Sequence, residues 1–171
     1  MSFRVGLGID FHRFAPGRKL VLAGVNFKYK LGLLGHSDAD VIAHAVSDAV
    51  LGAARLGDIG KHFPDKDPAF KNANSLQLLK KCCEMARKKG YEIGNVDIMV
   101  ILEEPKLSPK LAAMEKNLAR AMGVEADAVS VKATRPEQMG ALGRKEGIAA
   151  FAVCLLNEKS FTAKTQRTRR K

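Results

Sequence analysis

Apolar residues alternate with other residues at the start of the chain, where Val5, Leu7 and Ile9 share one face of a predicted strand over 3–10. Apolar runs bounded by turn residues predict further strands. These lie at 20–25, 96–102, 129–133 and 147–156. The last run is apolar on both faces, unlike the alternating first strand.

Three other segments carry apolar residues at helical spacing and predict helices over 41–54, 75–89 and 109–122. Ser37 and Asp40 have the spacing of a capping box before the first helix, and Ser108 is the expected N-cap of the third. The 18 residues of 57–74 are rich in Gly, Pro, Asp and Asn, which predicts a loop. A loop of this length in a compact domain is more often functional than idle.

Strands and helices alternate without an internal repeat. This order predicts an α+β or α/β layer, with the sheet on one side and the helices on the other. Of the two we favour one α+β domain over 1–158, with a mixed sheet and helices on one face. The chain has 171 residues, of which 46% are hydrophobic, enough for a core without disulfides. Its three cysteines include two neighbours and form no C-x-x-C motif. With no leader pattern and no apolar run long enough for a membrane span, we expect a cytoplasmic protein without a membrane partner.

The net charge of +11 is concentrated at the end of the chain. Residues 159–171 carry six basic side chains and no acid, which leaves 23 basic and 18 acidic residues in 1–158, a net charge of +5. The segment lacks interleaved aromatic residues, so we expect a disordered tail without a nucleic-acid partner. Contact of the tail with RNA or a membrane surface is the alternative.

Three of the four histidines, at 12, 36 and 44, fall within 33 residues and near several aspartates. Asp10 and His12 are two residues apart and point the same way in an extended strand. His44 lies on the first predicted helix, where Asp40 or Asp48, one turn away, is positioned to orient its ring.

Two imidazoles and a carboxylate with one open position form the usual ligand set of catalytic zinc, and iron or manganese also use it. The spacing alone leaves an alternative open, in which Asp10 caps a turn and the histidines are ordinary polar residues.

Other residues with chemical potential lie later in the chain. Lys106 sits between a predicted strand and a predicted helix, a common location for anion sites, but also fits an exposed loop. Glu137 is a candidate ligand for a second metal or a solvent-exposed carboxylate. Arg144 and the glycines around it fit a turn equally well.

Taken together, these motifs resemble one family, the 2-C-methyl-D-erythritol 2,4-cyclodiphosphate synthases of the non-mevalonate isoprenoid pathway. The most specific blocks are D-x-H, H-S-D-x-D and D-I-G-x-x-F-P-D, which begin at Asp10, His36 and Asp58. The matching stretches run in order through 8–12, 35–41, 44–45, 51–54, 57–60, 63–65, 94–97, 105–106, 132–134 and 143–148.

The resemblance implies a homotrimer whose sheets pack about a threefold axis, with active sites between subunits. It implies the cyclisation of 4-diphosphocytidyl-2-C-methyl-D-erythritol 2-phosphate to 2-C-methyl-D-erythritol 2,4-cyclodiphosphate, with release of CMP. Such an enzyme is a phosphorus-oxygen lyase.

The resemblance also implies roles for individual residues. Asp10, His12 and His44 would hold zinc, and Glu137 with the substrate phosphates would hold magnesium or manganese. His36, Lys106 and Arg135 would be catalytic. The substrate-binding residues would be Asp10, His12, His36, Ser37, Asp58, Ile59, Gly60, Phe63, Pro64, Asp65, Lys66, Asp67, Leu102, Pro105, Lys106, Ser108, Ala133, Thr134, Arg135, Glu137, Ala141 and Arg144.

This chain departs from the family pattern at three positions. Relatives read Lys-Ala-Thr-Thr-Thr-Glu where this chain has Arg135 and Pro136 before Glu137. Arginine binds phosphate well, whereas proline removes a backbone donor. Relatives also carry an aromatic residue in place of Ala141, near the trimer axis.

Two other functions remain open from the sequence. A metal-dependent phosphohydrolase would use the same ligands with water as the attacking group. A nucleotide-binding or RNA-binding protein would use the basic tail and would have lost catalysis at residues 135–136.

Overall fold

The computed structural model of the chain describes residues 2–64 and 66–159. In chain order the elements are β1 (Phe3–Ala15), β2 (Leu20–Leu22), β3 (Val25–Phe27), β4 (Gly32–Leu33), α1 (Val41–Ala53), α2 (Ile59–His62), α3 (Ser75–Lys88), β5 (Tyr91–Ile101), α4 (Leu111–Met122), β6 (Val129–Thr134), α5 (Gly140–Gly143) and β7 (Gly147–Glu158). Short 3₁₀ turns lie at Pro68–Phe70, Ser108–Lys110 and Ala126–Ala128.

Five strands form one sheet in the order β4-β1-β7-β5-β6, and β2 pairs with β3 in a separate hairpin. The β5–β6 pair is parallel, and the other pairs of the main sheet are antiparallel. Helices α1, α3 and α4 pack against one face of this sheet, and the core lies between them. The predicted α+β domain with a mixed sheet is confirmed.

Helix α1 approaches β1 closely because the strand has glycines where the helix crosses it. A Cβ atom on Gly6 would lie 1.9 Å from the carbonyl oxygen of Ala49, and one on Gly8 would lie 1.9 Å from that of Ala45. No side chain fits in that space. The helix backbone therefore rests directly on the strand backbone.

The opposite face of β1 is apolar and uncovered. Phe3, Val5, Leu7, Ile9 and Phe11 alternate along the strand, and between 42% and 69% of each is exposed. A contiguous exposed apolar surface of this kind usually marks an interaction site. The apolar residues that the sequence placed on one face of the first strand thus point away from the helices.

Several elements extend beyond their predicted limits. Strand β1 continues to Ala15, so Asp10 and His12 lie within the strand and not at its end. The predicted strand at 20–25 is a hairpin, because Ala23 and Gly24 both adopt positive φ and reverse the chain. Strand β5 begins at Tyr91 and includes an irregularity near Gly94.

The helix starts also differ from the prediction. Asp40, not Ser37, caps α1, since its carboxylate accepts the N–H groups of Ile42 and Ala43. Ser108 makes no capping hydrogen bond and belongs to a 3₁₀ turn before α4. The predicted loop at 57–74 contains α2 and a 3₁₀ turn.

Among the described residues, no helix is long and apolar enough to cross a membrane. Lys159, the first residue of the predicted tail, donates its backbone N–H to the carbonyl oxygen of Gly90. The remainder of the predicted tail, 160–171, lies outside the described residues, as does Asp65.

Candidate active site

Asp10, His12 and His44 converge at one point between β1 and α1. Each offers a ligand atom, and these three atoms lie within 4.8 Å of one another. The Oδ2 atom of Asp10 is 3.1 Å from Nδ1 of His12 and 3.1 Å from Nδ1 of His44. The structure therefore brings together the three side chains that the sequence proposed as metal ligands.

The unsatisfied ring nitrogen of His12 is consistent with a cation bound at this point. The Nδ1 atom of His12 is buried and, although Oδ2 of Asp10 lies 3.1 Å away, it makes no hydrogen bond of acceptable geometry with any described residue. A buried ring nitrogen without a partner costs free energy unless a proton donor or a metal satisfies it. The donor set of one carboxylate and two imidazoles suits zinc and other transition metals.

The charges of the cluster favour a bound cation too. Burial alone would raise the pKa of Asp10, but interactions with the His12 and His44 rings outweigh it and lower that pKa below its usual value. Burial alone would lower the pKa of His44, but the hydrogen bond to Asp10 and the nearby carboxylates raise it. The carboxylates around His44 thus create a negative potential at its ring.

Neither acid next to His44 on α1 contacts its ring, contrary to the sequence-based expectation. Asp40 is fully buried and accepts the backbone N–H groups of Ala23 and Gly24 as well as those of its own helix. Asp48 accepts the N–H of Ile59, at 2.7 Å. Both carboxylates fix backbone segments around the site.

The hydroxyl groups of Ser37 and Ser75 contact the His44 ring instead. They lie 3.1 Å and 2.9 Å from its Nε2 atom. Ser75 was missed by the sequence analysis, because it is 31 residues from His44 and sits at the start of a helix with no local signal of function.

A cavity of about 200 Å³ opens in front of the cluster. It is lined by Asp10, His12, Gly35, His36, Ser37, His44, Asp48, Ile59, Gly60, Phe63, Phe70 and Leu78. The cavity therefore joins the three candidate ligands to His36, Ser37, Ile59, Gly60 and Phe63, which the sequence assigned to substrate. Phe70 and Leu78 had not been identified.

The loop after α1 closes this cavity and positions His36. The Nε2 atom of His36 lies 3.0 Å from the carbonyl oxygen of Asp67, which can only accept, so Nε2 carries the proton. Asp58 caps α2 by accepting the N–H of Lys61. Pro64 and Lys66 are exposed on the same loop.

Arg18 anchors the segment that carries His36 and Ser37. Its guanidinium donates to the carbonyl oxygens of Gly35, at 2.8 Å, and Ser37, at 2.5 Å. Nothing in the sequence pattern around Arg18 signals this role, since both contacts depend on the folded path of the chain.

A second cleft, of about 480 Å³, lies at the ends of β5 and β6. It is lined by Leu102, Glu103, Glu104, Pro105, Lys106, Leu107, Ser108, Ala133, Thr134 and Arg135. Seven of its lining residues belong to the substrate-binding set that the family resemblance implies, namely Leu102, Pro105, Lys106, Ser108, Ala133, Thr134 and Arg135. It shares no lining residue with the first cavity.

The remaining predicted site residues follow β6. Glu137 is exposed and has a positive φ of 51°, which sets it at a tight turn. Ala141 and Arg144 are also exposed, and Nε of Arg144 lies 2.7 Å from Oε1 of Glu146. None of the three lines the first cavity or the second cleft.

Comparison with known proteins gives one consistent result. The model of the YgbB family matches residues 3–157. The 2-C-methyl-D-erythritol 2,4-cyclodiphosphate synthase of Chlorobaculum tepidum is 56% identical over 153 residues, covering 90% of this chain and 98% of that protein. The synthase of Enterococcus faecalis is 54% identical over 155 residues, covering 91% and 99%.

Solved structures agree with the sequence relatives. The bifunctional IspDF of Campylobacter jejuni matches with a TM-score of 0.89 and 44% identity, over 92% of this chain and 42% of that one. The IspF of Plasmodium falciparum, solved as a CDP complex, matches with a TM-score of 0.82 and 35% identity, over 93% and 98%. The chain therefore belongs to the YgbB family, the family of the 2-C-methyl-D-erythritol 2,4-cyclodiphosphate synthases.

Proposed function

We propose that this chain cyclises 4-diphosphocytidyl-2-C-methyl-D-erythritol 2-phosphate to 2-C-methyl-D-erythritol 2,4-cyclodiphosphate and releases CMP. The observation that carries this proposal is the convergence of Asp10, His12 and His44 beside a cavity of about 200 Å³, in a chain 56% identical to a protein of that name. The reaction is an intramolecular phosphoryl transfer catalysed by a lyase of isoprenoid precursor biosynthesis.

Asp10, His12 and His44 would hold zinc, because two neutral imidazoles and one carboxylate suit that ion and leave a position for a substrate oxygen. Bound there, zinc supplies Lewis-acid stabilisation of phosphate charge. Glu137 would contribute to a second site for magnesium or manganese, together with the substrate phosphates. Its exposed position after β6 leaves the carboxylate accessible for this role.

The residues of the first cavity would bind the methylerythritol part of the substrate. Ile59 and Gly60 line this cavity at the start of α2, and Phe63 supplies an apolar wall. We assign Asp58, Pro64, Lys66 and Asp67 to the same pocket. His36, whose Nε2 proton is engaged by Asp67, would turn the rest of its ring to the reacting phosphate.

The second cleft would bind the cytidine diphosphate part. Lys106 and Arg135 place cationic donors at its wall, next to Glu103 and Glu104. Such donors stabilise a diphosphate and a departing CMP when they are aimed at the phosphate oxygens. The CDP complex of the Plasmodium falciparum relative supports a cytidine nucleotide as the ligand.

The 2-phosphate of the substrate itself is the attacking group. Its oxygen forms a bond to the phosphorus that bears the methylerythritol, the bond from that phosphorus to the CMP oxygen breaks, and CMP leaves with the electron pair. The protein needs no nucleophile of its own. Its task is to hold two anionic phosphates in line and to offset their repulsion.

A homotrimer would complete the site. Within one chain the first cavity and the second cleft share no residue, so one substrate molecule would bridge cavities from neighbouring subunits. The exposed apolar face of β1 supplies a surface for packing sheets about a threefold axis. The free, buried cysteines agree with a reducing compartment, and we place the protein in the cytoplasm.

The deciding experiment is incubation of the protein with the cytidine diphosphate substrate, zinc and magnesium, followed by assay of the products. Equal amounts of CMP and the cyclic diphosphate are expected. Inorganic phosphate or a linear product would favour a phosphohydrolase. Binding of the substrate or RNA without turnover would favour the nucleotide-binding alternative.

A further inference from the structure

We infer that Ser75 and Asp38 are positioning residues for the metal site, because together they fix which nitrogen of His44 faces the cation. The inference rests on the proposed role of His44 as a metal ligand. It concerns residues that lie behind the imidazole and do not touch the substrate cavity.

The contacts form a short chain from the helix-borne histidine to an aspartate. Ser75 is fully buried, and its Oγ atom lies 2.9 Å from Nε2 of His44. The same hydroxyl contacts Oδ1 of Asp38, while the backbone N–H of Ser75 donates to Oδ2 of Asp38, at 3.2 Å. Asp38 therefore receives both donors of one serine.

The direction of each hydrogen bond follows from what each group can do. A carboxylate only accepts, so the hydroxyl proton of Ser75 points to Asp38. The lone pairs of Oγ are then left for His44, and Nε2 of His44 must be the donor. Without a metal, Nδ1 of His44 can carry a proton and donate to Asp10. A cation bound between the two side chains would displace that proton, and a neutral imidazole with its remaining proton on Nε2 would present the lone pair of Nδ1 to the cation. Nδ1 is the atom that lies 3.1 Å from Asp10, at the metal site.

The fold explains why a residue so far along the chain takes this position. Ser75 is the first residue of α3, directly after the capping residue Asn74. Asp38 precedes α1, and its N–H donates to the carbonyl oxygen of Ala73, at 3.0 Å. The start of α3 is thus bonded to the segment before α1, and the Ser75 hydroxyl reaches Nε2 of the ring, while Nδ1 faces Asp10.

Ser37 places a second hydroxyl at the His44 ring, but it does not replace the series of hydrogen bonds from His44 through Ser75 to Asp38. Its Oγ lies 3.1 Å from Nε2 of His44 and accepts the N–H of Ala39, at 3.1 Å. Its Oγ also lies 3.2 Å from Oγ of Ser75. Because the proton of Ser75 points to Asp38, Ser37 is the donor in a hydrogen bond between the two hydroxyls, and its direction therefore depends on the contact of Ser75 with Asp38.

The test is metal affinity, measured without substrate. Wild-type protein, Ser75→Ala, Asp38→Asn and Ser47→Ala are each titrated with Co²⁺, whose absorption reports imidazole ligation, and with Zn²⁺ in competition. Removing a partner that orients a metal-bound histidine weakens the metal by about 10- to 100-fold. We expect such a loss in Ser75→Ala and a smaller loss in the same direction in Asp38→Asn.

Ser47 is the matched control. It is a buried serine on the same helix as His44, and its hydroxyl donates to the backbone oxygen of Ala43, at 2.8 Å. Ser47→Ala should bind Co²⁺ as tightly as wild type. Wild-type affinity in Ser75→Ala, or an equal loss in Ser47→Ala, would overturn the inference.

Two further outcomes separate the inference from the proposed function. Failure of the wild-type protein to bind either cation would overturn both, whereas tight binding by wild type and Ser75→Ala alike overturns the inference alone. If Ser75→Ala does not fold, the ¹⁵N NMR chemical shifts of the His44 ring in zinc-loaded wild-type protein show which nitrogen carries the proton and which binds the metal. A proton on Nε2 with metal on Nδ1 supports the inference, and the reverse contradicts it.

Discussion

The buried carboxylate of Glu103 holds the guanidinium of Arg135 at the wall of the second cleft. Oε1 of Glu103 accepts from Nε of Arg135, at 3.0 Å, and also from Nη2. The Glu103 side chain is 2% exposed and that of Arg135 is 61% exposed. Hydrogen bonds from Arg135 and from the N–H of Gln138 lower the pKa of Glu103, so the pair stays charged at neutral pH.

This pair leads to the first prediction, that Arg135 acts on phosphate from a fixed position. Arg135→Ala should lower kcat/KM for the cytidine diphosphate substrate by about 100-fold, since one directed donor to transferring charge is worth that much. Glu103→Gln should lower it less, because the arginine remains but is held less firmly. Both values come from steady-state assay of CMP release.

The control for Arg135 is Lys145→Ala, which removes a cation paired with Glu104, at 2.8 Å, and outside the lining of the cleft. Its kcat/KM should stay at the wild-type value. A loss in Lys145→Ala as large as in Arg135→Ala would mean that general positive charge, not the position of Arg135, is what matters.

The second prediction concerns the cation itself. His44→Ala should abolish zinc retention and turnover, because it removes one of three ligands. Elemental analysis after dialysis measures the zinc. His62→Ala is the control, since that ring bonds the carbonyl oxygen of Leu56 and lies outside the cluster. Undiminished zinc in His44→Ala would remove this residue from the ligand set.

Glu137→Gln tests the second cation site. The substitution keeps the size of the side chain but removes its charge, so more magnesium should be needed for half-maximal turnover while zinc content is unchanged. The measurement is the rate of CMP release as a function of magnesium concentration. The control is Glu125→Gln, which changes a different exposed glutamate, located before the 3₁₀ turn Ala126–Ala128. Its rate should depend on magnesium concentration as that of the wild type does. An unaltered magnesium curve in Glu137→Gln would refute its role.

The apolar face of β1 predicts the assembly. Leu7 is 60% exposed in a single chain, and an aspartate there would bring a charge into the packed centre of a trimer. Leu7→Asp should therefore sediment as a monomer where wild type sediments as a trimer. Gln77→Asp adds the same charge on the exposed side of α3 and should leave the trimer intact. A monomeric wild-type protein would contradict the proposed assembly.

The cysteines should be unreactive until the protein unfolds. Burial raises the pKa of the Cys82 and Cys154 thiols to about 12, and it also raises the pKa of Cys83. Because the thiolate is the reactive form, a disulfide reagent at pH 8 should titrate no thiol in the native protein and three in denaturant. Rapid modification of the native protein would show that this part of the core opens.

Much of the site could be predicted because its residues are close in sequence or share one element. Asp10 and His12 are two residues apart on one strand, so strand geometry alone places them together. The family resemblance carried by the motifs around His36, Asp58 and Phe63 predicts substrate-binding residues there, and the structure places His36 and Phe63 in one cavity.

The parts that could not be predicted depend on contacts across the fold. Ser75 reaches His44 only because α3 packs on α1, and Arg18 reaches Gly35 only because the hairpin of β2 and β3 directs the chain back. Helical spacing suggested Asp40 and Asp48 as partners of His44. Both instead accept backbone N–H groups, which sequence spacing does not reveal.

Because Gly6 and Gly8 let α1 lie directly on β1, the geometry of the candidate cation site depends on the distance between these two backbones. Gly8 is two residues before Asp10, and Ala45, whose carbonyl oxygen lies over it, directly follows His44. A single methyl group at Gly8 would push helix α1 outward and move the candidate ligands Asp10 and His44 apart. Loss of metal binding in such a variant would therefore not report on the chemistry of the ligand side chains. The absence of a side chain at Gly8 sets the spacing between β1 and α1, and so the distance between Asp10 and His44.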